Sequence, residues 1–116
     1  MINHPAIFHI NDFVLEELLS YIHKNNANYF IEERLTKLKQ YPDYNKLFRT
    51  IIAWCESSFS PIKSSKELNI HRNTLFYRLN KIEQITELDL RSFRDALTLY
   101  LAVKIMLIFE SDNNGS

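Results

Sequence analysis

The chain of 116 residues holds a single glycine, Gly115. Glycine takes left-handed backbone conformations without steric cost, so tight β-turns and phosphate-cradling loops are built on it. With one glycine at the far C-terminal end, neither a dinucleotide fingerprint nor a P-loop can be assembled. A turn-rich β fold is disfavoured on the same ground. What remains is a helical chain, and 46% hydrophobic against 24% charged residues is enough to give it one real core.

The apolar spacing supports that reading. Residues 1–10 read as irregular or extended, punctuated by Pro5. Asn11 or Asp12 can cap a first helix, on which Leu15, Leu18, Leu19 and Ile22 make one apolar face. "KNNAN" at 24–28 breaks the pattern, so a second helix is expected from about Tyr29 to Lys39, with Ile31, Leu35 and Leu38 on one side. Pro42 ends that region, and Asp43 is placed to cap a third helix that turns Leu47, Phe48, Ile51, Trp54 and Cys55 inward.

Ser60 followed by Pro61 is a strong helix start, a capping hydroxyl and then proline where the N–H would be unsatisfied anyway. That helix runs only to about Leu68, and Asn69 with Ile70 makes a tight turn, Asn69 standing in for the usual left-handed glycine. The next helix begins near His71 or Arg72 and faces the core with Leu75, Leu79 and Ile82. Arg72, Asn73, Tyr77, Asn80 and Lys81 lie away from that stripe. Ser92 with Asp95 resembles a capping box and opens a last helix that is apolar on most of its circumference. Such a helix is either central to the core or shared with a partner subunit. Leu68, Leu97, Leu101 and Ile105 complete the expected core, while Phe76 is open between helix packing and a subunit contact.

Two short helices joined by a tight turn, the second basic outside and leucine-rich inside, make the helix-turn-helix pattern. Charge sharpens it. From Ser60 to Lys81 the basic residues Lys63, Lys66, Arg72, Arg78 and Lys81 stand against Glu67 alone, a net charge of +4. The rest of the chain carries −4, so the zero net charge is a cancellation. A local basic patch is the electrostatic footprint of a phosphate-binding surface.

Other classes find little support. The lone Cys55 excludes an internal disulfide and fits a reducing, cytoplasmic compartment. The first 25 residues show no secretory signal, and the apolar run Ala96 to Phe109, broken by Lys104, is too short to span a membrane. His4, His9, His23 and His71 are scattered and give no zinc spacing, so neither a metal nor a cofactor is expected. The carboxylate pairs Glu16–Glu17 and Glu32–Glu33 are neighbours in sequence, which do not face each other on a helix, and an enzyme is not expected.

The stretch "ELNIHRNTLFYRLNKIEQITELDL" resembles the C-terminal domain of the PucR/CdaR family of bacterial transcription regulators, the purine-catabolism and sugar-diacid regulators. The matching residues are Leu68, His71, Asn73, Thr74, Tyr77, Arg78, Leu79, Ile82 and Glu83, followed by "LDL" at 88–90. The resemblance covers about residues 46–107 and is looser before them. The family usually has glycine at the position of Glu87, small residues at those of Lys63, Ser65 and Glu67, and often a basic residue at that of Phe76. It implies an all-α bundle with a wingless, Fis-like helix-turn-helix at 46–110, preceded by linker helices in 1–45 and followed by a disordered tail at 111–116. It also implies that this chain is the DNA-binding end of a longer regulator with an N-terminal sensory region.

On a recognition helix the first turn reads base edges and the flanks hold phosphates. Arg72 is the best base reader, since a guanidinium bonds guanine O6 and N7 together. His71 is suited to a base contact or to capping. Asn73 and Thr74 suit base or phosphate contact, and Tyr77 a phosphate or a half-buried ring. Arg78, Lys81, Lys63 and Lys66 are expected on phosphates, against the ordinary fate of a solvated charged face. The expected partner is double-stranded DNA, bound by a homodimer whose two recognition helices meet half-sites about one helical turn apart. The rival is a helical interaction module that dimerises or docks a sensor through "FRDALTLYLAVKIMLIF" without specific DNA binding.

Overall fold

A computed structural model describes residues 16–19 and 21–114, with the side chains of 112–114 left aside. After a helical segment at 16–19 come α1 (Lys24–Lys39), α2 (Tyr44–Glu56), α3 (Pro61–Leu68), α4 (Arg72–Thr86) and α5 (Phe93–Asn114). No strand occurs among the described residues, and no helix is long and apolar enough to cross a membrane. The expected cap at Asn11 or Asp12, and Leu15, lie outside them.

The bundle is built around α5, which packs most extensively on α1 and α2. Its Ala96, Leu99, Ala102, Val103 and Met106 recur at helical spacing and are buried. α2 lays Leu47, Phe48, Ile51 and Trp54 against the same core, and α4 adds Leu75, Leu79 and Ile82. α1 brings Ala27, Ile31, Leu35 and Leu38 to it, so this helix shares one hydrophobic cluster with α2, α4 and α5.

Several expectations need correction. α1 starts at Lys24, not near Tyr29. His23 caps it through Nδ1, which accepts the Asn25 N–H at 3.2 Å, and the burial of Ala27 holds the polar "KNNAN" turn onto the core. Leu18 is exposed although Leu19 beside it is buried. Leu97 is exposed too, because it lies one residue past Ala96 and is turned off the buried stripe. Leu68 and Leu101 are half-buried, and Phe76 is partly buried against the core. α5 continues to Asn114 and so takes in the first four residues of the expected tail.

The segment 87–92 between α4 and α5 is held by side chains. Trp54 Nε1 donates to the Leu90 carbonyl at 2.8 Å, in a buried site. Glu83 accepts the Leu90 N–H at 2.8 Å, and Asp95 accepts that of Asp89 at 2.9 Å. Asp95 therefore does not complete a reciprocal box, although Ser92 Oγ does accept the Asp95 N–H at 3.4 Å. Glu87 closes α4 in the left-handed region at φ 61°, ψ 25°, a conformation that costs a residue bearing a Cβ about 1 kcal/mol.

Two measurements test this account. Trp54→Phe leaves the Leu90 carbonyl without its buried donor and should destabilise by about 2–3 kcal/mol in urea denaturation. Glu87→Gly relieves the left-handed strain and should raise the melting temperature, with a gain of about 0.5–1 kcal/mol.

Candidate nucleic-acid interface

α3 and α4 owe their geometry to three local devices. Ser60 Oγ accepts the Lys63 N–H at 3.1 Å, and Pro61 occupies the first turn of α3. At the other end Asn69 adopts φ 56°, ψ 48°. There the Asn69 N–H donates to Lys66 O at 3.1 Å and the Ile70 N–H to Ser65 O at 3.0 Å, closing the helix with a Schellman pair. His71 then caps α4, its Nδ1 accepting the Asn73 N–H at 3.0 Å. An accepting Nδ1 puts the proton of a neutral ring on Nε2, and the His71 side chain is exposed.

The buried stripe Leu75, Leu79 and Ile82 fixes which face of α4 looks outward. At about 100° per residue, Asn73, Tyr77, Asn80 and Gln84 share the outer face, and all four are exposed. Arg72 is exposed in the first turn, and Thr74 and Arg78 are half-buried on one flank. Lys63 and Lys66 are exposed on α3. Among the described residues, the side chains of Arg72, Asn73, Arg78, Lys63 and Lys66 make no hydrogen bond or ion pair within the protein. The structure thus brings Asn73 and Tyr77 onto one open face of α4, with Arg72 exposed to one side of it and Thr74 on the other. Asn80 and Gln84 join them there; their place in the outward stripe was available from the helical spacing.

Lys81 is different. Its Nζ lies 3.3 and 3.2 Å from the two carboxylate oxygens of Asp43. Asp43 occupies the cap position of α2, but its side chain makes no capping bond there. Desolvation pushes the Asp43 carboxyl up, yet the hydrogen bond from Lys81, its own backbone and the charges of Lys81 and Lys46 outweigh this and hold it below the ordinary aspartate value. The ion pair therefore persists through neutral pH.

Cys55 is no nucleophile in this setting. Burial, with the charge of Glu56 beside it, pushes its thiol up to about 12, and Sγ donates to the Ala96 carbonyl at 3.6 Å. No group of three or more metal-ligating side chains occurs among the described residues.

Comparison with known proteins gives the family of this motif. Residues 47–105 match the model of the PucR C-terminal helix-turn-helix domain. The chain belongs to this family. The matched span runs from inside α2 to the middle of α5, so it takes in all of α3 and α4 and most of α2, on which both pack. The carbohydrate diacid regulator of Escherichia coli K12 is 46% identical over 71 residues, covering 61% of this chain and 18% of that protein. The DNA-binding transcriptional activator AdeR of Bacillus subtilis 168 is 40% identical over 73 residues, covering 61% of this chain and 17% of AdeR. The purine catabolism regulatory protein of the same organism is 29% identical over 101 residues, 85% of this chain and 18% of its own length. The chain thus spans less than a fifth of each of these relatives. No solved structure matches it.

In this PucR-type domain the first helix of the motif is closely packed. Ser64 is fully buried in α3, and its Oγ has no hydrogen-bond partner among the described residues. Ser64→Ala removes an unpaired hydroxyl and adds helix propensity, so it should stabilise the domain by about 0.5–1 kcal/mol in thermal or urea unfolding.

Proposed function

We propose that this helix-turn-helix domain of a PucR-type regulator binds duplex DNA sequence-specifically, with α4 in the major groove. The observation that carries the reading is the open first turn of α4. Arg72 and Asn73 are exposed there with no partner for their side chains among the described residues, on a helix whose opposite stripe is locked into the core. Arg72 reads guanine O6 and N7, and Asn73, Thr74 and the His71 Nε2–H contact neighbouring bases or phosphates. Arg78 and Tyr77 on α4, with Lys63 and Lys66 on α3, hold the backbone on either side. Lys81 lies at the edge of this surface, where Asp43 holds it.

The remaining elements of the proposal extend the family resemblance. This domain is the DNA-binding end of a cytoplasmic regulator whose other region senses a small metabolite. It acts as a homodimer, for which the exposed Phe93, Leu97 and Leu107 of α5 offer apolar surface. An interaction module without DNA binding would not need the free cations of α3 and α4, and that favours the DNA reading.

The test is selection from a random duplex library, with binding then measured against salt. Wild type should enrich a symmetric motif. Arg72→Ala should flatten preference at one base position, at a cost of about 1–3 kcal/mol for the preferred base. Arg78→Ala should weaken binding to all sequences alike and reduce the slope of log K against log salt by about 0.9. Retention that is weak and insensitive to salt would favour the interaction module.

A further inference from the structure

Among the described residues, the ion pair between α4 and the turn before α2 has no counterpart elsewhere on α4. Lys81 Nζ bonds both oxygens of Asp43, and the ammonium also lies 4.9 Å from the ring centre of Tyr41 and 5.9 Å from that of Tyr77. Tyr41 and Asp43 flank Pro42 in the short connection between α1 and α2, 38 residues from Lys81 in the case of Asp43. Both ends of the pair are partly shielded, with side-chain exposures of 22% for Lys81 and 33% for Asp43. A carboxylate at a helix cap would ordinarily bond the N–H groups of that helix. Asp43 turns to Lys81 instead.

The rest of α4 is held by Leu75, Leu79 and Ile82. Apolar contacts are non-directional, so they fix the depth of a helix better than its rotation about its own axis. A charge-assisted hydrogen bond between α4 and a carboxylate on another element tethers one flank of the helix to a fixed point. It sits at the flank of α4, about 70° round the helix from the centre of the Asn73–Tyr77–Asn80–Gln84 face, where it can set that rotation. Lys81 and Tyr77 are also one turn apart, so the same cation that meets Asp43 lies by the tyrosine ring exposed on the groove-facing side.

We infer that Lys81 is a positioning residue, and that the Asp43–Lys81 ion pair, flanked by Tyr41 and Tyr77, is a latch that sets the rotation of α4 and so aims Arg72 and Asn73 at the bases. This rests on the DNA reading above and goes beyond it, because a lysine on a recognition helix is otherwise read as a phosphate contact.

The two roles predict opposite results. Asp43→Asn removes the anion and frees the lysine. As a latch, Asp43→Asn and Lys81→Met each weaken binding to the duplex selected by wild type about three- to tenfold. Discrimination against unselected duplex falls, the salt slope is unchanged, and the double variant is no worse than the weaker single one. As a phosphate contact, Lys81→Met lowers the slope by about 0.9, and Asp43→Asn tightens binding by releasing a cation. That pattern overturns the latch. Hydrogen exchange on the free protein adds an arm that needs no DNA. Asp43→Asn should speed exchange of α4 amides while circular dichroism still reports a folded bundle, and unchanged α4 exchange overturns the proposal. If wild type itself selects no motif, the DNA reading fails, and the exchange arm still judges the latch.

Discussion

The burial of Leu75, Leu79 and Ile82 against α1 and α2 is the contact on which the rest of this molecule depends. It divides α4 into a face that cannot move and a face that has nothing to pack on. Which polar side chains of α4 can look outward follows from that division. The core stripe also explains why a short α3 suffices. Eight residues give little helix stability alone, but Ser60, Pro61 and the Asn69 closure satisfy both ends, and Ser64 is small enough to let α3 lie close to its neighbours.

A second layer of contacts ties the motif to the bundle. Trp54 on α2 holds the Leu90 carbonyl, and Glu83 on α4 holds the Leu90 N–H, so one residue of the connecting segment is gripped from two helices. Tyr100 donates to Glu56 at 2.8 Å and Lys104 approaches the same carboxylate at 3.8 Å, linking α5 back to α2. The Asp43–Lys81 pair adds the other flank. α4 is thereby attached at its apolar stripe, at its C-terminal end and at one side, which leaves its N-terminal turn and outer face open. α1 lies outside the matched span of 47–105, yet it supplies four buried residues to the shared core. The folded unit is larger than the family's own motif.

Much of this was legible before any coordinates. Ser60–Pro61, Asn69 and the 75–79–82 spacing are local signals, and local signals survive folding because the groups involved are neighbours in the chain. The boundary of α1 was not legible. Its first turn is polar, its cap is a histidine, and histidine is not among the usual capping residues, so the turn reads as a break. Leu97 and Leu18 misled for a related reason. Where most positions of a helix are apolar, spacing alone does not say which are covered. The glycine that the family resemblance leads one to expect at the position of Glu87 would have a plain cause, since the backbone at that point is left-handed.

Sequence by itself determined the class of this protein. One glycine, helical periodicity and a basic segment in a neutral chain leave a helix-turn-helix as the simplest solution, and the residues of 68–90 carry the family's pattern. Only the tertiary structure decided what each polar residue is free to do. Arg72, Arg78 and Lys81 look alike as letters, three basic residues on one helix. Folding brings Asp43 to Lys81 across 38 residues and brings no partner among the described residues to Arg72 or Arg78. The reason is geometric. Which charges meet is set by how helices cross, and the crossing follows from the buried faces, not from the spacing of the charges themselves.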